Sequence, residues 1–185
     1  RYDGCVFFHD GEKFIYTSGM GGGKNVSLEL GHLSEVQMVC TLGVNKWRGA
    51  PYDFVKHTEP KNNTVDSGSY SPPPHPFSSK TYEKSQQVYK STVEEVYNEA
   101  VTNNSQFEAF LTHQQSLAGG KLVKVTGKTN HPMVAIGRTI KCKDHPVLKE
   151  QVVVTSVVTT FKDIIYSSTF EAVSEKAVMM EAEPD

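Results

Sequence analysis

Apolar and polar positions alternate with a period of two through the first third of the chain, which predicts strands. Cys5-Val6-Phe7-Phe8-His9 and Glu12-Lys13-Phe14-Ile15-Tyr16-Thr17 flank Asp10-Gly11. That dipeptide suits the two left-handed positions of a type I′ turn, so the segment predicts a hairpin. After the flexible stretch Gly19 to Asn25, alternation places Val26, Leu28 and Leu30 on one strand face, and Val36 to Leu42 predicts a further strand. The chain is expected to turn around Trp47-Arg48-Gly49-Ala50-Pro51, with a short strand at Tyr52 to Val55.

The period then changes. Tyr82, Tyr89, Val93, Val96, Tyr97, Ala100 and Val101 recur at helical spacing and predict a helix over 82–101 with one apolar stripe. Ser105-Gln106-Phe107-Glu108 has the form of a capping box. A second helix is therefore expected over 106–116, burying Phe107, Phe110, Leu111 and Leu117 and stopping at Gly119-Gly120. Beyond it the chain returns to strands at 121–126, 133–142, 151–160 and 164–170, the last two rich in Val, Ile, Thr and Ser.

These elements define an α+β chain, mainly an antiparallel β sheet or sandwich, with a two-helix hairpin inserted. Its expected organisation is N-terminal hairpins over 1–57, a proline-rich loop over 58–80, the helical insertion over 81–118, C-terminal strands over 119–172 and an acidic tail over 173–185. Pro72-Pro73-Pro74 in the loop favours an extended conformation without ladder hydrogen bonds.

Composition narrows the class without naming a function. With 185 residues, 37% hydrophobic and 22% charged, the chain has the balance of a folded domain and is long enough for a core. A net charge of −2 gives no global attraction to nucleic acid, and no apolar run reaches bilayer length. A first residue of Arg1 reads as a piece cut or matured from a longer protein. Cys5, Cys40 and Cys142 do not make a disulfide framework, and Cys40, in an apolar strand, is expected to be a buried thiol. Three Asn-x-Ser/Thr matches begin at Asn25, Asn62 and Asn103, and since composition alone yields about one or two, they decide nothing.

Candidate chemistry is sparse. Ser18 to Lys24 resembles a phosphate-binding loop in glycine content. It has Ser18 where the first glycine belongs and Asn25 where a Ser or Thr must meet magnesium, so a plain loop is the better reading. Cys5 with His9 and Cys142 with His145 have no zinc-module spacing, so no metal or other cofactor is expected. Charge segregation is sharper: Lys121 to Lys149 holds seven cations (Lys121, Lys124, Lys128, Arg138, Lys141, Lys143, Lys149) against Asp144 alone, a local balance of +6. Alternation places Lys124 with Lys128, and Lys141 with Lys143, on common faces. The segment has no aromatic residue on which a base would stack, which argues against nucleic acid. Trp47, Arg48 and Tyr52 sit in turn-rich sequence and have contact-patch composition.

The expected function is a non-enzymatic recognition module of a larger protein, extracellular and viral proteins being the settings considered. It would contact a protein or an anionic ligand through Trp47, Arg48, Tyr52, Lys124, Lys128, Arg138, Lys141 and Lys143. The alternatives are a small-ligand enzyme using a Cys/His pair and a β-hairpin membrane inserter built on residues 151–170.

Overall fold

The computed structural model describes residues 6–10, 12–17, 24–50, 64–67, 76–96 and 104–174. Its strands are β1 (Val6–His9), β2 (Phe14–Thr17), β3 (Asn25–Ser27), β4 (Leu33–Cys40), β5 (Trp47–Gly49) and β6 (Val65–Asp66). Helix α1 (Pro76–Val88), strand β7 (Glu94–Glu95) and helix α2 (Asn104–Lys121) follow. The chain continues through β8 (Val123–Thr129), β9 (Thr139–Lys141), β10 (Val152–Lys162) and β11 (Ile165–Ser174). The fold is α+β and mainly sheet, as the periodicities predict.

The principal sheet has six strands in the order β3-β9-β10-β11-β8-β4, antiparallel except for the β3–β9 pair. Its register follows from which side chains must leave water. Along β8, Val123, Val125, Gly127 and Thr129 are buried while Lys124, Thr126 and Lys128 point outward. On β11 the buried positions are Ser168, Phe170, Ala172 and Ser174. Val125, Phe170 and Ala172 form the core together with Val26, Leu28, Val134, Ile140, Cys142, Leu148, Val152 and Val154. Val152, Val153 and Val154 are all buried because the sheet is covered on both sides there: Val153 faces outward beneath Phe8 and Ile136.

The β1–β2 hairpin forms where the alternation places it, with a different turn. His9 pairs with Phe14, the Asp10 amide donates to the Lys13 carbonyl (3.1 Å), and Asp10 Oδ1 accepts the amides of Glu12 (2.9 Å) and Lys13 (2.8 Å). The reversal is thus closed by the Asp10 carboxylate, and Gly11 lies outside the described residues. These amide bonds, Lys13's first, lower the Asp10 pKa. Gly137 shows how closely the hairpin packs. Its φ of +78° suits glycine, and a Cβ there would collide with the Phe8 ring. Leu30, expected beside Val26 and Leu28, instead enters a 3-10 turn and is exposed.

Neighbouring strands β4 and β8 are joined by a long excursion over residues 41–122, pinched where the Thr41 amide donates to the Leu122 carbonyl at 2.8 Å. It contains both helices and a second sheet, β6-β5-β7. The helix expected over 82–101 is therefore corrected: α1 starts at Pro76 and ends at Val88. Its buried residues are Ser78, Thr81 and Ser85 rather than a tyrosine–valine stripe. Hydroxyls suffice because they are partnered: Ser78 Oγ bonds Ser174 Oγ (3.1 Å), Thr81 Oγ1 donates to the Phe77 carbonyl (2.7 Å), and Ser85 Oγ accepts the Gly43 amide (3.3 Å). Past Val88 the Glu94 and Val96 amides bond the Lys46 and Arg48 carbonyls at 3.0 and 2.8 Å, so strand pairing overrides the helical spacing.

Helix α2 buries Phe107, Leu111 and Leu117 as expected, while Phe110 is half-buried. It begins at Asn104, which places Ser105 inside the helix rather than at the cap, and it runs through Gly119-Gly120 to Lys121. In the C-terminal region, the strand expected over 133–142 shrinks to Thr139–Lys141. No α-helix occurs between Leu122 and Phe170.

Candidate functional site

The last hairpin is longer than its neighbours. Strand β9 pairs with β10 only at Val152 and Val153, and Gly137 and Arg138 extend that contact as far as Val154. Strand β8 accompanies β11 only from Val173 to Ser168. Residues 155–167 therefore form a ribbon whose β10 edge has no other described strand beside it, and whose β11 edge is free of one from Ser167 to the tip.

At its tip Lys162 pairs with Ile165 across Asp163 and Ile164, whose φ angles of 48° and 64° give the left-handed pair of a two-residue turn. Val158, Phe161 and Ile165 are exposed, and Ile164 is 92% exposed. Register puts Phe161 opposite Tyr166 on one face, and Val158 and Ile165 on the other. The ribbon's ionisable groups besides the Tyr166 phenol are Lys162 and Asp163, both at the tip. Thr159 Oγ1, Ser168 Oγ and the Tyr166 hydroxyl form a chain at 3.0 and 2.9 Å, satisfying polar groups across the two strands. A second apolar surface lies on β1–β2, where exposed Phe7 and Phe14 stack at 5.4 Å.

The basic block is distributed otherwise. Lys124 and Lys128 share the outer face of β8 as expected, and each meets a carboxylate: Lys124 the Glu171 side chain at 2.8 Å, Lys128 that of Glu35 at 2.5 Å. Glu35 lies at the β4 register shift with φ 55°, a bulge beside Lys128. Arg138, its side chain 6% exposed, bonds Glu12 at 3.0 Å and the Met133 carbonyl at 3.2 Å, under the β1–β2 hairpin. Lys141 and Lys143 are exposed on either side of buried Cys142. His145 closes that turn, with Nδ1 accepting the Val147 amide at 3.2 Å. Among the described residues no three His, Cys, Asp or Glu side chains gather as a metal site.

Trp47 and Arg48 belong to a strand, not to the expected turn. Trp47 is 7% exposed and packs with Phe107 and Leu111, so it is a core residue of the second sheet and not a surface anchor. Arg48 faces solvent and clamps Asp66 through two bonds, Nε to Oδ1 (2.5 Å) and a terminal nitrogen to Oδ2 (3.2 Å). This pair raises the arginine pKa and lowers that of Asp66. Gly49 admits no side chain, since a Cβ would meet the Val96 carbonyl oxygen and lie 2.6 Å from Phe107 Cζ. Tyr52 lies outside the described residues.

Beside Trp47 is a cavity of about 450 Å³, its wall including Asn45, Lys46, Tyr82, Gln86 and Val93. Gln115 Nε2 donates to the Asn45 backbone carbonyl at 3.0 Å, while Asn45 Nδ2, buried, has no partner among the described residues. Nothing in the sequence marks Asn45 or the cavity, whereas residues 151–170 stand out in it as a candidate membrane hairpin. The Thr/Ser alternation and low charge of that segment carry the hairpin reading.

No protein-family model matches the chain, and no curated protein matches it. Solved structures do. A 43 kDa tail protein of prophage MuSo2 from Shewanella oneidensis superposes with a TM-score of 0.64 at 13% identity, over 94% of this chain and 51% of that one. The c3393 protein of E. coli, described as a type VI secretion component, gives 0.48 at 14% identity over 97% and 36%. The prophage tail protein gp18 of Listeria monocytogenes gives 0.49 at 12% over 94% and 49%. The first of these shares the fold, and the chain spans about half its length.

Proposed function

We propose that this chain is a non-enzymatic interaction module of a tail-type protein assembly, and that the 155–167 ribbon docks against a second copy of the chain. The observation that carries this reading is the ribbon itself: exposed Val158, Phe161, Ile164 and Ile165 on strands whose backbone edges extend past their neighbours. A projecting strand edge free of charge along 155–161 is a template for pairing with another strand, and two identical copies meet there without repulsion. Burying each large apolar side chain at such a contact contributes about 1.5–3 kcal/mol. The fold shared with a prophage tail protein supports a place in an assembly.

The basic block supports an anionic ligand less well, because Lys124, Lys128 and Arg138 face carboxylates. Lys141 and Lys143 remain its candidate contacts. Apolar side chains on both ribbon faces also fit insertion into a lipid bilayer. Sedimentation velocity from low to high micromolar protein tests the self-docking reading. The wild type is expected to associate with concentration, and the V158T/F161T variant, which keeps strand-forming residues, to remain a monomer. A wild type that is monomeric throughout would overturn self-docking, and leakage from vesicles of neutral phospholipid would replace it with the membrane reading.

A further inference from the structure

We infer that the cavity beside Trp47 is a binding site for the carboxylate of a small organic acid or of a peptide C-terminus. Its volume of about 450 Å³ lies within the range of pockets that enclose small ligands. Its polar wall is also incomplete in a way that specifies a ligand atom. Asn45 is 5% exposed and its Nδ2 has no hydrogen-bond partner among the described residues. Buried donors are nearly always satisfied, because leaving one unpaired forfeits its hydration without return. The missing partner is an acceptor, which a carboxylate oxygen supplies.

Charge points the same way. Of the lining side chains Lys46, Arg48 and Asp66 are charged, and the Arg48–Asp66 clamp cancels itself. The Lys46 cation is left, its ammonium 3.4 Å from the Lys90 carbonyl at the exposed rim. A carboxylate with one oxygen on Asn45 would be screened by that lysine, and the apolar body of the ligand would lie along Val93 and the two aromatic side chains, Trp47 and Tyr82. The site shares no residue with the ribbon and stands apart from the docking reading.

Trp47 is the sole tryptophan, so its fluorescence reports the cavity directly. The probes are N-acetyl-phenylalanine as the free acid and as its amide, and a tripeptide ending in phenylalanine, again as acid and amide. The free acids are expected to change Trp47 emission saturably, with the amides at least fivefold weaker. Whichever acid binds more tightly identifies the source of the carboxylate. Asn45→Ala is expected to weaken the acid at least tenfold while leaving the melting temperature unchanged or raised, since it removes an unpaired donor. A purely structural asparagine would lower it. Lys46→Glu, at the exposed rim, gives the second readout and is expected to abolish the preference for acid over amide. No saturable change with either acid, or equal binding by wild type and both variants, would overturn the proposal.

Discussion

His32 and His131 meet edge to face at 4.9 Å between ring centroids, and each uses Nδ1 as an acceptor. The Glu29 amide donates to His32 and the Met133 amide to His131, both at 3.2 Å. Burial, and after it the charge of His32, holds the His131 pKa below its ordinary value of 6.5. Folding therefore favours the neutral ring. The associated stability is complete above the unfolded pKa of about 6.5 and is lost as pH falls from there through the lowered folded value. The urea midpoint is expected to drop between pH 7.5 and 5.5. His131→Asn, whose side-chain oxygen still accepts the Met133 amide, should flatten that dependence; an equally steep profile in the variant would place the titration elsewhere. Cysteine positions are a second residue-scale finding. Cys40 was expected in the core on the strength of Val39 and Leu42, yet all three are exposed: Val39 points outward opposite Lys124, while Cys40, opposite Val123, and Leu42 lie at and beyond the end of β4, an edge strand. Cys142 is the buried thiol among the described residues, which do not include Cys5. Peptide-resolved labelling of the native protein should modify Cys40 quickly and Cys142 only after denaturation.

At the scale of elements, local chemistry was legible where it decided the outcome. The β1–β2 and β10–β11 pairs and the buried face of α2 follow from alternation and from 3.6-residue spacing. Helix α1 was misplaced because its contacts are small hydroxyls, which leave no hydrophobic period, and because β7 is stabilised by a partner strand distant in sequence. The β10–β11 turn runs against its own residues. A β-branched side chain at Ile164 occupies φ 64°, a conformation that costs an L-residue roughly 1–2 kcal/mol. Replacing Asp163-Ile164 by Asn-Gly is expected to stabilise the protein by about 1 kcal/mol in denaturant titration; no gain would mean that Ile164 packs usefully in the isolated chain. Gly49→Ala tests the second sheet. With the Val96 carbonyl and the Phe107 ring against the new methyl, a loss of at least about 2 kcal/mol is expected.

For the whole molecule, fold class was readable and topology was not, since pairings such as β3 with β9 and β4 with β8 leave no local trace in sequence. The candidate site divides in the same way. Strand propensity marked residues 151–170, but only the shorter reach of β8 and β9 makes the tip a projection. Asn45 was invisible because a buried amide is unusual only once its surroundings are known. The strand order also has a consequence for biosynthesis. As the polypeptide leaves the ribosome, β3 with β9 and β4 with β8 can form two separate ribbons, and two-stranded ribbons are marginal in water. The hairpin translated after them, β10–β11, is the keystone that lies between the ribbons and joins them. A nascent chain stalled near residue 150 should therefore remain protease-sensitive, and resistance should arrive in one step once Ser174 has emerged. Until then the translated portion exposes open strand edges, a natural client for a chaperone waiting at the exit tunnel.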